Sequence, residues 1–205
     1  LFSGSEVIIR NYLRYIKNNN ESKNEIIFMY RNNSAYNDGL HSLDGDFKLY
    51  PIKLFSLDSI LYSLNLRFTS NLLFPLKLIN SLLLRFYIFD LLNYVIIKSH
   101  LKKHNPDTLF VNNGGYPGAS SARLTALIGK SLGIKRITFF VNNIASKKYI
   151  RPFEKKYDYM VEESVTFFIT ASKYAGKMLS QNRKIPADKC IQIPNTTEVI
   201  KLKTS

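Results

Sequence analysis

From Pro106 onward the sequence alternates between short apolar runs and longer amphipathic stretches, a pattern that few architectures accommodate. Thr108 to Asn112 (TLFVN), Arg136 to Val141 (RITFFV), Thr166 to Thr170 (TFFIT) and Cys190 to Ile193 are rich in β-branched and aromatic residues and bounded by turn formers, as strands are. Between the first two, Leu124, Leu127, Ile128 and Leu132 recur at helical spacing, with Pro117 suited to the first helical turn and Gly133 to the stop. A charged helix is expected around 148–163, and Ser172 is placed to cap a helix whose inner residues are Ala175, Met178 and Leu179. Strands that alternate with helices pair in parallel, because a helix is the usual crossover between parallel neighbours. The expected fold class is therefore α/β, a Rossmann-like parallel sheet with helices on both faces.

The first half fits the same scheme less regularly. Ser3 and Glu6 have capping-box spacing, and Ile9, Tyr12, Leu13 and Ile16 mark the apolar face of a helix over about 5–17. Glu25 to Arg31 (EIIFMYR) and Phe47 to Ile52 read as strands around a polar loop, 32–45, and helices are expected over roughly 56–64 and 72–103. With 205 residues, 45% of them hydrophobic, the chain has material for one well-packed core.

A formal charge of +14 calls for an anionic partner: lipid headgroups, a phosphorylated ligand or nucleic acid. Nucleic acid ranks third, since the basic residues are spread along the chain and no RNA-binding aromatic signature or basic recognition helix is present. No 20-residue apolar run is free of charge, and residue 1 does not open a signal peptide. The stretch 72–101 carries Lys77, Arg85, Asp90 and Lys98, which suits a core helix, with or without shallow contact to an anionic bilayer. Cys190 has no cysteine to pair with, and no Cys/His spacing suits a metal, so the reading is a cytoplasmic protein with no metal site.

Ligands of open parallel sheets bind beyond the carboxyl ends of the strands, where loops and helix N-termini leave N–H groups unpaired. Four segments qualify. Gly4 and Ser5 open the first helix, and serve either close approach of a diphosphate or simply the turn. Asn112, Asn113, Gly114, Gly115 and Tyr116 combine amides and backbone donors with an aromatic wall for a sugar face, or else form a tight strand-to-helix turn. Asn142 and Asn143 either bind ligand or bond local backbone, and Ser172 with Lys173 completes the set. His41, His100 and His104 have no triad spacing, and Glu162 and Glu163 read as solvated helix residues.

These segments, in this order, resemble the N-terminal domain of family 4 glycosyltransferases of the GT-B fold. The pattern is carried by SGSE at 3–6, Asn105 to Asn112, VNN at 141–143, ASKYAGKML at 171–179 and DKCIQIPN at 188–195, and covers nearly the whole chain. The resemblance implies an acceptor-side domain over 1–194, an interdomain linker beginning at 195–205, and a donor-binding C-terminal domain lying beyond this sequence. It implies retaining transfer of a sugar from a nucleotide-sugar donor to a glycan or lipid-linked acceptor in polysaccharide biosynthesis, with no cofactor. The setting would be the cytoplasm, peripheral on the inner face of the membrane.

Gly4 and Ser5 would then face the donor phosphates, while Asn112 to Tyr116, Asn142 and Asn143 line the acceptor side. Three departures stand out: most of the first strand is missing, Asn142 replaces a frequent histidine, and Thr196-Thr197-Glu198 follows IPN in place of Gly-aliphatic-Asp. Two other readings stay open. One is a non-catalytic binding module of the same fold; the other is a nucleotide-sugar epimerase-like domain, against which Asn142 argues.

Overall fold

The computed structural model describes residues 4–19, 25–40, 47–55 and 87–194, with a few positions between 75 and 85. The chain divides into two compact units, one reaching Lys53 and one spanning Leu54–Ile193.

In the first unit, helix α1 (Gly4–Asn19) buries Ile9 and Leu13, as their spacing of four predicts. Strands β1 (Ile27–Arg31) and β2 (Lys48–Ile52) pair in parallel, Ile27 opposite Lys48 and Arg31 opposite Ile52. The segment expected to be a polar loop contains a short helix, α2 (Ser34–Leu40). Asn33 starts it, its side-chain oxygen accepting from the Tyr36 N–H at 2.8 Å, and Leu40 anchors it at 1% exposure. The capping serine proposed at position 3 and the helix proposed over 56–64 lie outside the described residues.

The second unit holds the main sheet. Helix α3 (Ile88–His104) leads into β3 (Thr108–Asn113), followed by α4 (Ser120–Ser131), β4 (Arg136–Val141), α5 (Glu154–Ser164), β5 (Phe167–Thr170), α6 (Lys173–Arg183) and β6 (Cys190–Gln192). The four strands are parallel in the order β3-β4-β5-β6, each beside its sequence neighbour. Gly133, at φ 81°, ends α4 as its type predicts, and the Ile134 N–H returns to the Gly129 carbonyl at 3.0 Å.

Alternation along the strands sorts side chains onto two faces. Leu109, Val111, Ile137, Phe139, Val141 and Phe168 share one face and are at most 7% exposed. Helix α4 lies on this face so closely that a Cβ at Gly129 would stand 2.7 Å from a Leu109 methyl, and α6 reaches it through Gly176 beside Thr170 and Cys190. The opposite face presents Phe110 and Phe140, half-buried, with ring centroids 4.4 Å apart. The fold is thus an α/β, Rossmann-like parallel sheet flanked by helices.

Candidate functional site

Because the strands are parallel and in register, with Asn113 opposite Val141 and Val141 opposite Thr170, their carboxyl ends form one rim. Asn112 to Tyr116, Asn142 with Asn143, and Ser172 with Lys173 all follow strand ends on this rim. Gly4 and Ser5 belong to the first unit, where they form the first turn of α1.

Several of these side chains have structural employment. The Asn142 side-chain amide donates to the Asn112 Oδ1 at 3.0 Å and to the Asn113 carbonyl at 2.9 Å, clamping β3 to β4 where the ladder ends. Asn113 is buried; its Oδ1 accepts from the Ala119 N–H at 3.1 Å and its Nδ2 donates to the Pro117 carbonyl at 3.3 Å, so it shapes the turn into α4 from within. Gly118 closes that turn at φ 56°, where a Cβ would stand 2.3 Å from the Asn113 Oδ1. Pro117, expected in the first turn of the helix, precedes it instead and follows a cis peptide bond, α4 beginning only at Ser120.

Tyr116 departs furthest from its expected part as a wall for a sugar. It is 2% exposed, with its ring edge-on to Phe139 and Phe168 at centroid distances of 6.0 and 6.2 Å. The packing of an aromatic into the core outweighs its use at an open surface. Ser172 caps α6, its Oγ accepting from the Ala175 N–H at 3.1 Å. What the rim presents outward is Asn143 and Lys173, both exposed, around half-buried Gly114, Gly115, Asn142 and Ser172.

The sequence reading passed over a buried ionic cluster beneath this region. Arg123 and Arg183 each reach the Asp158 carboxylate at 3.0 Å, and Arg123 reaches Glu154 at 3.5 Å, all four side chains being at most 2% exposed. The Arg183 guanidinium also donates to the Ser146 and Lys148 carbonyls at 2.8 and 3.1 Å, while Glu154 accepts from the Ile150 N–H at 2.7 Å. Arg151 extends the cluster to Asp90 at 3.5 Å, and Asp90 in turn accepts from the Ser120 hydroxyl. Together these contacts fasten the long segment between β4 and α5, which carries Asn142 and Asn143.

Burial pushes the Asp158 carboxyl above the usual carboxylate value despite its two arginines. Burial also drives the Tyr116 hydroxyl well up, helped by the Asp158 charge, and the Tyr157 hydroxyl likewise, helped by Asp90. Glu162, expected in solvent, is 8% exposed and pairs with Lys189 at 2.5 Å. The missed signal was the spacing of Glu154, Asp158 and Glu162, four apart on one helix face together with apolar Val161.

Beside the cluster, α5, α6 and the segment before α5 line a half-open pocket of about 340 Å³ whose walls include Tyr149, Lys155, Asp158, Tyr159, Asn182 and Arg183. Among the described residues no helix is long and apolar enough to cross a membrane.

The class that fold and rim define is an α/β protein with a polar, amide-rich surface at the strand ends. Comparison with protein-family models, with curated proteins and with solved structures finds no match for the chain.

Proposed function

We propose that the chain is the acceptor-binding, N-terminal half of a retaining GT-B glycosyltransferase, acting with a donor-binding domain on a nucleotide-sugar at the cytoplasmic side of a membrane. The observation that carries this reading is the rim of β3 and β4. Adjacent strand ends bring the Asn112–Asn142 pair, half-buried Gly114 and Gly115, and exposed Asn143 onto one edge. Side-chain amides donate to and accept from sugar hydroxyls, glycine backbone N–H groups donate to them, and Lys173 on the neighbouring strand end adds a cation for an anionic substituent.

The segments 112–116, 142–143 and 172–173 contain no histidine and no carboxylate. General acid–base chemistry of the epimerase kind needs such groups at the reacting atoms, so the rim suits holding an acceptor better than proton transfer. The same fact favours, as the second reading, a binding module of this fold without catalysis.

Saturation-transfer NMR of the 205-residue chain with neutral and acidic oligosaccharides tests the reading. Binding is expected, weakened at least fivefold by N143A and K173A with no change in Tm; absence of transfer from the protein to every oligosaccharide would overturn it. Assaying sugar transfer to a bound oligosaccharide, with the chain joined to a donor-binding domain, then separates transferase from binding module.

A further inference from the structure

The segment that links β4 to α5 displays large apolar side chains to water. Ile144 is 57% exposed, Ile150 72% and Phe153 81%. Burying such groups is the ordinary outcome of folding, so three of them exposed within the ten residues 144–153 point to a contact surface. Interleaved with them stand Lys147, Lys148, Lys155 and Lys156, all exposed and in no ion pair among the described residues. Glu154, the one carboxylate within 144–156, is already committed to buried Arg123, and Asp90 is paired with Arg151. The displayed charge is therefore purely positive.

Packing does not explain this display, and neither does laxity. The backbone is fixed from below: the Asn182 amide donates to the Ala145 carbonyl at 2.8 Å, the Tyr87 hydroxyl to the Pro152 carbonyl at 3.0 Å, and Glu154 accepts from the Ile150 N–H at 2.7 Å. Phe153 itself sits at φ 58°, a left-handed conformation that costs a bulky residue free energy and is retained only where the surroundings impose it. The fold spends strain to present an aromatic ring outward. Two of the lysines, Lys147 and Lys155, also stand on the wall of the half-open pocket beside α5 and α6.

We propose that residues 144–156 form a docking surface for an anionic lipid bilayer, with Ile144, Ile150 and Phe153 entering the headgroup–acyl boundary and the four lysines meeting lipid phosphates. Apolar tips flanked by lysines are the combination that interfacial binding requires, since neither insertion nor charge attraction alone gives firm attachment. A rigid loop adds to affinity because little ordering remains to be done on contact. The inference does not depend on sugar transfer.

Co-sedimentation of the 205-residue chain with vesicles tests it. Binding to vesicles containing 30% phosphatidylserine is expected to exceed that to pure phosphatidylcholine by more than tenfold, each lysine near an anionic surface being worth about fivefold in affinity, and to fall as salt rises. The exposed-site variant I150S/F153S should lower binding to anionic vesicles at least tenfold with an unchanged circular-dichroism melt, and K147A/K148A should lower it about 25-fold. Equal binding to neutral vesicles would overturn the proposal, as would no binding at all. Loss of binding on substituting the exposed α3 residues Leu91 and Val95 but not Ile150 and Phe153 would also overturn it. Light scattering showing a dimer that I150S/F153S dissociates would replace the bilayer with a second copy of the chain.

Discussion

Arg183 and Asp158 meet at 3.0 Å with neither side chain more than 2% exposed, and this contact ties the last turn of α6 to the middle of α5. Removing one partner of a buried pair strands the other charge out of water, which costs about 3–5 kcal/mol. R183M is expected to destabilise the chain by that amount in urea denaturation, and the R183M/D158N double variant by less than the sum of the single changes. Strict additivity would mean that the two side chains act separately.

Alkaline stability follows from the buried phenols. Burial raises the folded-state pKa of Tyr116 and Tyr157 above the unfolded value of 10.0, so the folded form keeps its protons where the unfolded form loses them. Their contribution is complete below pH 10 and is lost as pH rises beyond it, by about 1.4 kcal/mol per pH unit per group. Denaturation midpoints measured from pH 9 to 12 should fall accordingly, and Y157F should flatten the slope. Ultraviolet titration should show these two hydroxyls ionising only as the protein unfolds.

Ser172 and its neighbour Lys173 separate cap from ligand group. S172A removes the hydroxyl that accepts from the Ala175 N–H and should cost about 1 kcal/mol, a drop in Tm that calorimetry resolves. K173A touches an exposed side chain and should leave the unfolding free energy within about 0.5 kcal/mol of the parent.

Gly118 faces both a backbone and a packing constraint. At φ 56°, with a would-be Cβ 2.3 Å from the Asn113 Oδ1 and 2.4 Å from the Gly115 carbonyl, G118A should destabilise by roughly 1–3 kcal/mol. Because the turn also sets Gly114 and Gly115 on the rim, oligosaccharide binding should weaken in the same variant when both are measured well below Tm.

The parallel sheet was legible because TLFVN and RITFFV, which pair with each other, are separated by a helix that a glycine stops. Local period, turn chemistry and crossover length all point the same way there. The 32–45 segment was misread as loop because its helix rests on one asparagine cap and one buried leucine, too short a pattern to show periodicity. At the rim, the sequence located Asn113 and Tyr116 but not the direction of their side chains, and both turn inward. Glu162 was read as solvated because charge usually is, and Glu154 and Asp158 were passed over within a charged helix; the burial of all three depends on Arg123, Arg183 and Lys189, which lie on other elements and approach only through tertiary packing.

The order β3-β4-β5-β6 means that no strand of the main sheet waits for a partner from far along the chain. As the polypeptide leaves the ribosome, each newly emerged strand can zip onto an edge already built, and none has to wedge between two that are paired. Growth at one border keeps each loop closure short, since every strand joins the one that precedes it in the chain.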